Sequence, residues 1–338
     1  QKKADKLRAA EEARLQRIKD EDVKHADWEN RWILETKHFR IEANITRAKL
    51  DLYATTLEGY YENVGKQLGI QLKGKWKKFK LPVYFYKHRE EYLKRRRDSG
   101  QDQGEHALGH FVPTPGNEEL VMFDQTEDTA QTLEVLYHEA THFLIYLYQP
   151  NLIVPRWMNE GCAEYYSGST FKDGEYTPGL VHDGHVLAFI HGMKRGTVES
   201  IEQLLESGNQ GASAALRQFP PAYYHQSWLV AHYCMNTKKY RKRWQTYLKK
   251  ILDRKVKTQA IEASTRKFVP FEEDVALFKQ TMKIKETTGE DPAFSDAVCE
   301  VGSQLNLTTY QTPTQVRVTL SNGNEYDVNV QADSKAKR

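Results

Sequence analysis

The sequence predicts an α+β protein with two lobes, and three observations lead to that prediction. Strand-like and helix-like apolar patterns alternate between residues 28 and 170, which indicates a small mixed α/β lobe with a β-sheet. From residue 171 to residue 290 the apolar positions recur at helical spacing, which predicts a mainly α-helical second lobe. Residues 291–338 form a C-terminal extension in which an Asn-Gly pair between two alternating segments is typical of a β-hairpin. We expect this hairpin to be an appendage or an added edge of a sheet.

The N-terminal part of the chain predicts a leader followed by a βαβ unit. Residues 1–27 are rich in Ala, Glu, Lys and Arg, which indicates a charged helical leader that is solvated or loosely held. Phe39 and Ile41 then alternate with charged residues, as in a strand. A helical pattern over residues 50–68 leads to a second strand at residues 81–86. We therefore expect two strands joined by a helix.

A second hairpin is predicted after a charged helix at residues 88–97 and a polar loop at residues 98–109. Its strands are residues 109–112 and 120–123, and the Pro-Thr-Pro-Gly sequence between them predicts the turn. A free strand edge binds extended peptides through main-chain hydrogen bonds with little side-chain selectivity. The hairpin is therefore either a peptide-binding edge or an ordinary part of the sheet.

Helices of the second lobe are predicted at residues 182–193, 198–206, 222–236, 239–252 and 271–287. The sequence His-Asp-Gly-His, from His182 to His185, raises the alternative of a second metal site. An exposed loop is the interpretation that we adopt for these two histidines.

Residues 138–142 read His-Glu-Ala-Thr-His, which is the H-E-x-x-H pattern of zinc-binding helices. Apolar residues flank the pattern, and no Pro or Gly interrupts residues 130–149, so we expect a buried helix. Residues four apart share a helix face, so His138 and His142 can hold one ion between their imidazoles. Glu139 is turned by about 100° around the axis, which places its carboxylate beside the ion as a base. A core helix with hydrogen-bonded histidines is the alternative.

A second predicted helix, which starts after Pro155, supplies a third ligand. Glu160 and Glu164 are one turn apart and share a face of this helix. Two buried carboxylates on one face are unfavourable unless a cation neutralises them, and a divalent ion with two imidazoles would do so. Three protein ligands leave one zinc position open for water, as in catalytic sites. We therefore predict one Zn²⁺ per chain, held by His138, His142 and Glu160.

These motifs resemble those of the gluzincin metallopeptidases, which include thermolysin-like and aminopeptidase N-like enzymes. In that group the third ligand is the Glu of an Asn-Glu pair on the helix after H-E-x-x-H, as at Asn159 and Glu160. Seventeen residues separate His142 from Glu160, which is close to the aminopeptidase N-like spacing. The chain is similar, more nearly, to a bacterial peptidase-like family of unknown function that carries H-E-A-T-H and W-x-x-E-G-x-A-E-Y. The resemblance implies a two-lobed gluzincin fold and zinc-dependent peptide hydrolysis.

The resemblance also implies roles for further residues. Glu164 corresponds to the carboxylate that thermolysin-like enzymes place four residues after the ligand. There it would accept the outer N–H of a ligating histidine, most simply His138. Tyr224 matches the tyrosine with which aminopeptidase N-like enzymes stabilise the oxyanion, and Tyr223 is the fallback. Packing of both tyrosines in partly buried surface is the alternative.

The expected activity is that of an endopeptidase. Aminopeptidases bind the free amine of their substrate through a G-x-M-E-N type strand, and the sequence has no such string. The resemblance therefore does not imply exopeptidase activity for this chain. The predicted mechanism is attack by a zinc-activated water, with Glu139 as general base and Tyr224 as oxyanion donor. Two alternatives stay open: a gluzincin-fold binding or scaffold protein without turnover, and a zinc hydrolase of another amide or ester.

The composition is consistent with a soluble enzyme, and the resemblance implies that its substrate is a peptide or protein. Lys and Arg total 49 against 46 Asp and Glu, so a net charge of +3 gives no case for nucleic acid binding. The mean hydropathy of −0.74 and the short apolar stretches exclude a membrane span. The sequence leaves the oligomeric state open.

Cysteine usage and the start of the chain leave the cellular compartment open. Cys162, Cys234 and Cys299 permit at most one internal disulfide and leave one thiol over. The chain starts at Gln1 without Met or a signal sequence, which fits a processed exported protein or a trimmed chain. The bacterial families that it resembles are commonly exported. We therefore favour the cell envelope or secretion over the cytoplasm.

Overall fold

A computed structural model of the chain has mixed α and β structure arranged in two compact units, and the α+β prediction is confirmed. The first unit comprises Gln1–Asn151 and Ser169–Pro178, and the second comprises Leu152–Gly168 and Gly179–Arg338. The structure describes residues 2–69, 78–100, 107–125, 129–148, 154–172, 175–181, 185, 188–189, 191–192, 195–198, 203–205, 221–253, 271–282, 307–308, 315–319 and 325–329.

The first unit contains a five-stranded sheet. Its strands are β1 (Trp32–Glu35), β2 (Phe39–Ala43), β3 (Leu81–Tyr86), β4 (Gly109–Val112) and β5 (Glu119–Phe123). They lie in the order β1-β2-β3-β5-β4. β2, β3 and β5 are parallel, whereas β1 and β4 run antiparallel to their neighbours. The predicted βαβ unit and the predicted β4–β5 hairpin are thus confirmed, and β4 is the end strand among the strands that the structure describes.

Among the described residues of the first unit, four segments are α-helical: α1 (Lys2–Lys24), α2 (Arg47–Gln67), α3 (Arg89–Asp98) and α4 (Thr129–Tyr148). Almost all the described side chains of α1 are exposed, because its sequence is charged and offers few apolar residues for a core. α2 connects the parallel strands β2 and β3, and the residues that it buries recur at helical spacing, among them Leu50, Tyr53, Leu57, Tyr60 and Val64. Among the described helices, none has the length and apolar character needed to span a membrane.

Aromatic side chains fix α4 within the first unit. Tyr60 on α2 stacks on Tyr137 with ring centroids 4.6 Å apart and an interplanar angle of 7°. Phe143 lies 6.4 Å from Phe39 of β2 and 5.6 Å from Phe111 of β4, between ring centroids. Each such aromatic pair contributes about 0.5–1.5 kcal/mol beyond the burial of its area. The side chains of α4 are therefore held against both the sheet and α2.

The second unit contains helices α5 (Arg156–Ser167), α6 (Pro221–Asn236), α7 (Lys238–Leu252) and α8 (Phe271–Met282), which confirms these predicted helices in the described residues. Trp157 of α5 packs against three rings from α7 and α8. Its centroid lies 6.0 Å from that of Trp244, 6.1 Å from that of Tyr247 and 5.1 Å from that of Phe278. The helices predicted at residues 182–193 and 198–206 lie largely outside the described residues.

Two further antiparallel arrangements complete the described strands. β6 (Thr170–Lys172) pairs with β7 (Glu175–Thr177), a hairpin that was not predicted because three-residue strands are too short to show periodicity. Near the C-terminus, β9 (Gln315–Thr319) pairs with β10 (Glu325–Asn329) and with the short β8 (Leu307–Thr308). The predicted C-terminal hairpin is therefore confirmed.

Candidate metal centre

α4 presents His138 and His142 on one face. The Nε2 atoms of the two rings lie 3.1 Å apart, and the ring planes meet at 84°. Both side chains are half-buried. The apolar spacing around the motif favours a helix. Because the two histidines are four residues apart, the helix places their imidazoles on the same face.

Glu160 lies in the first turns of α5. The Pro155 carbonyl accepts hydrogen bonds from the backbone N–H groups of Met158 and Asn159, both at 3.0 Å, so the helix starts where the proline predicts. Glu160 is only 9% exposed, and the Arg156 Nε atom lies 3.8 Å from its Oε1 atom. A carboxylate this buried requires compensating positive charge, and the Arg156 guanidinium contributes to it.

The structure brings the three predicted ligands together. One nitrogen of each histidine and one carboxylate oxygen of Glu160 lie within 4.8 Å of one another. In a tetrahedral zinc site, Zn–N bonds of 2.0–2.1 Å place two nitrogens about 3.3 Å apart, so the 3.1 Å between the histidine Nε2 atoms fits. Two imidazoles and a carboxylate also suit zinc better than calcium or magnesium. The histidine spacing equally fits an N–H···N hydrogen bond, whose proton a bound ion would replace.

Glu139 follows His138 on α4 and is half-buried. A Cβ atom at Gly109, the first residue of β4, would lie 3.4 Å from the Glu139 Cγ atom and 2.8 Å from Val135 Cγ1. The β4 backbone therefore passes directly beside the helix face that carries Glu139. Only glycine fits this close approach without displacing Val135.

Sequence reasoning missed a buried pair, Tyr92 and His110, of which Tyr92 is close enough to Glu139 for that carboxylate to affect its pKa. The Tyr92 hydroxyl lies 3.1 Å from His110 Nδ1, and Tyr92 is fully buried. Burial raises the pKa of Tyr92 well above its usual range; Arg96 opposes that rise, and the nearby Glu139 carboxylate adds to it. Burial, helped by Arg96 and Arg95, lowers the pKa of His110 to about 4, so His110 is neutral at neutral pH. No sequence signal singled out Tyr92, because α3 reads as a charged surface helix.

Tyr223 and Tyr224 lie in the first turn of α6. Tyr223 is 3% exposed, whereas Tyr224 is half-buried, and the two rings are perpendicular, with centroids 6.1 Å apart. Tyr223 is thus the more deeply packed of the pair, and Tyr224 is the more accessible. The role of Tyr224 as oxyanion donor stays a prediction.

Glu164 lies one turn after Glu160 on α5, and its Oε2 atom is 3.0 Å from His185 Nε2. The expected interaction of Glu164 with His138 stays a prediction. His185 is 6% exposed and stacks on Trp228, with ring centroids 5.1 Å apart. The exposed-loop interpretation is therefore wrong for His185, because it is buried in ring and carboxylate contacts; His182 lies outside the described residues.

Two of the three cysteines are buried free thiols. Cys162 on α5 and Cys234 on α6 are both inaccessible to solvent. Burial raises the pKa of Cys162 to about 12, so it stays a neutral thiol rather than a metal-binding thiolate. Cys299 lies outside the described residues.

Comparison of the chain with protein-family models and with curated protein sequences finds no match. Within the described ranges, no second group of three His, Cys, Asp or Glu side chains has the spacing of a metal site. The arrangement of His138, His142 and Glu160 is therefore the observation from which a function can be proposed.

Proposed function

We propose that this protein is a zinc-dependent metallopeptidase that cleaves peptide bonds within a chain. The supporting observation is that the ligand atoms of His138, His142 and Glu160 lie within 4.8 Å of one another, with Glu139 next in sequence to His138. A bound zinc ion supplies a Lewis acid and an activated water. Two imidazoles and one carboxylate from the chain leave a coordination position for that chemistry.

Glu139 is the general base of the proposed reaction. It removes a proton from the attacking water and returns that proton to the leaving amine, so it serves as base and then as acid. Its place on α4 supports this role, because it neighbours His138 in sequence but is turned by about 100° from it around the helix axis. The close packing of Gly109 against Val135 and Glu139 limits the movement of this part of the helix.

The end strand β4 is the proposed substrate-binding edge. An extended peptide adds to such an edge through main-chain hydrogen bonds, which do not depend on the substrate side chains or on a free terminus. Because Gly109 of β4 lies beside Glu139, a peptide paired with β4 passes close to the base. This arrangement supports cleavage within a chain rather than at its end.

Tyr224 is the proposed donor to the oxyanion. Its half-buried position at the start of α6 leaves its side chain more accessible than that of Tyr223. A hydroxyl that donates to the developing negative charge acts mainly in the transition state.

The test of this proposal is cleavage of a mixed peptide library by the purified full chain, read by mass spectrometry. We expect cleavage at internal bonds, its loss with a zinc chelator, and its recovery when about one equivalent of zinc is restored. A protein that binds zinc but cleaves no peptide between about pH 5 and pH 9 would be a scaffold instead. Hydrolysis of esters or other amides without peptide cleavage would indicate the other hydrolase class.

A further inference from the structure

Three side chains of the second unit form a hydrogen-bonded series from α5 to α6. The Glu164 Oε2 atom lies 3.0 Å from His185 Nε2, and His185 Nδ1 lies 2.6 Å from His225 Nδ1. His185, the middle member, is 6% exposed, and the Glu164 side chain is 15% exposed. Both nitrogens of His185 are thus used in short polar contacts. We term this series the Glu164–His185–His225 relay.

The Glu164 carboxylate determines where the protons of the relay lie. A carboxylate only accepts hydrogen bonds, so His185 presents Nε2–H to Glu164. If His185 is neutral, its Nδ1 atom then carries a lone pair. That atom can accept a hydrogen bond from the Nδ1–H group of His225. With His185 neutral, His225 is therefore in the Nδ1–H tautomer, although an isolated neutral histidine prefers Nε2–H. The tautomer of His225 therefore depends on Glu164, to which His225 is linked through His185.

The relay joins two segments that the proposed mechanism needs. Glu164 is one turn beyond Glu160 on α5, and His225 directly follows Tyr224 in the first turn of α6. His185 is held between them by its stacking on Trp228, at an interplanar angle of 22°. Two hydrogen bonds through a ring of fixed orientation constrain both the position and the rotation of the α6 first turn.

We propose that Glu164 and His185 are positioning residues, which hold His225 and thereby the first turn of α6 that carries Tyr224. The catalytic consequence rests on the proposed peptidase function, whereas the hydrogen-bonded relay does not. In this arrangement Glu164 does not contact the substrate. It acts through the imidazoles of His185 and His225 on the position of the Tyr224 hydroxyl.

The first arm of the test observes the tautomers by ¹⁵N NMR of protein labelled at histidine. We expect Nε2–H at His185 and Nδ1–H at His225 in the wild type. Glu164→Leu removes the acceptor and should convert His225 to Nε2–H, whereas Glu164→Gln retains an acceptor oxygen and should preserve the wild-type pattern. If Glu164→Leu does not fold, His185→Phe keeps the stacking on Trp228 and should release His225 in the same way. An Nε2–H His225 in the wild type, or one that neither variant alters, would overturn the relay.

The second arm is a double-mutant cycle on turnover. His185→Phe should lower kcat by about 10-fold to 100-fold with KM and zinc content little changed. In a Tyr224→Phe background the same substitution should lower kcat by less than about twofold, because its effect acts through the Tyr224 hydroxyl. Independent losses that multiply, or a loss of zinc from His185→Phe, would overturn the positioning role.

The matched control is His232→Phe. His232 is also a buried histidine near Trp228, with ring centroids 5.0 Å apart, but it is not a member of the relay. It should change neither the His225 tautomer nor kcat. If wild-type protein cleaves no peptide, the proposed function fails on that result alone, and the NMR arm still decides whether the relay exists.

Discussion

Gly161 lies against the backbone of Ser227, so that a Cβ atom at Gly161 would be 2.5 Å from the Ser227 carbonyl oxygen. Real Cβ atoms do not approach a backbone oxygen this closely, so α5 and α6 meet here at a separation that only glycine permits. Gly161 directly follows Glu160. The glycine of the Glu-Gly pair thus sets how closely the helix that carries Glu160 packs on its neighbour.

Replacement of Gly161 by Ala should destabilise the protein. Alanine favours a helix over glycine by about 1 kcal/mol, but overpacking against a backbone oxygen costs about 1–3 kcal/mol, and the overpacking dominates. Urea unfolding measures the change. Gly65→Ala on α2 is the matched control, because nothing lies within 4 Å of its added Cβ, and it should leave stability unchanged or raise it. Equal stability of the two variants would contradict the packing argument.

Zinc binding should require all three ligands. Elemental analysis of the purified chain should give about one zinc per molecule, because three protein ligands of this kind form one catalytic-type site. His138→Ala, His142→Ala and Glu160→Ala should each abolish tight binding in a zinc titration, while the protein stays folded by circular dichroism. Stoichiometric zinc in any of the three variants would remove that residue from the ligand set.

The two tyrosines at the start of α6 should behave differently. Tyr224→Phe removes one hydroxyl and almost no volume, so kcat should fall by about 100-fold to 1,000-fold with KM little changed. Tyr223→Phe should leave kcat near the wild-type value, because Tyr223 is the more deeply packed residue. Steady-state kinetics on one cleaved peptide measures both, and a larger loss from Tyr223→Phe would transfer the role to Tyr223.

His232 should make the protein sensitive to acid. Burial lowers the pKa of His232 from 6.5 to about 4, so between these values the unfolded chain takes up a proton that the folded protein does not. The stability associated with neutral His232 is therefore complete above pH 6.5 and is lost as the pH falls toward 4. On transfer from about pH 7 to about pH 5, His232→Phe should lose about 2 kcal/mol less stability than the wild type. Identical losses in urea unfolding at the two pH values would contradict this assignment.

The helices that carry the candidate ligands were predictable because their signals are local. Uninterrupted apolar spacing predicted α4, and the four-residue separation of His138 and His142 then placed both on one face of that helix. Pro155 predicted the start of α5. The parallel pairing of β2 and β3 followed from the helix between them.

Contacts between distant residues were not predictable from local pattern. His185 pairs with His225 forty residues along the chain, so no periodicity marks it, and it reads as part of a polar loop. Tyr92 is buried beside His110 although most of its neighbours on α3 are charged. Tertiary packing decides such positions, and the pattern of one segment does not contain that information.

The measurement that tests the proposed function most directly compares wild type with Glu139→Gln, both loaded with zinc, on the same peptide library. The substitution keeps the shape of the side chain and all three ligands, but it removes the base. We predict equal zinc content, peptide cleavage by the wild type, and a loss of at least about 100-fold in the variant. Equal cleavage by the two proteins would contradict the account, because the hydrolysis would then not depend on Glu139.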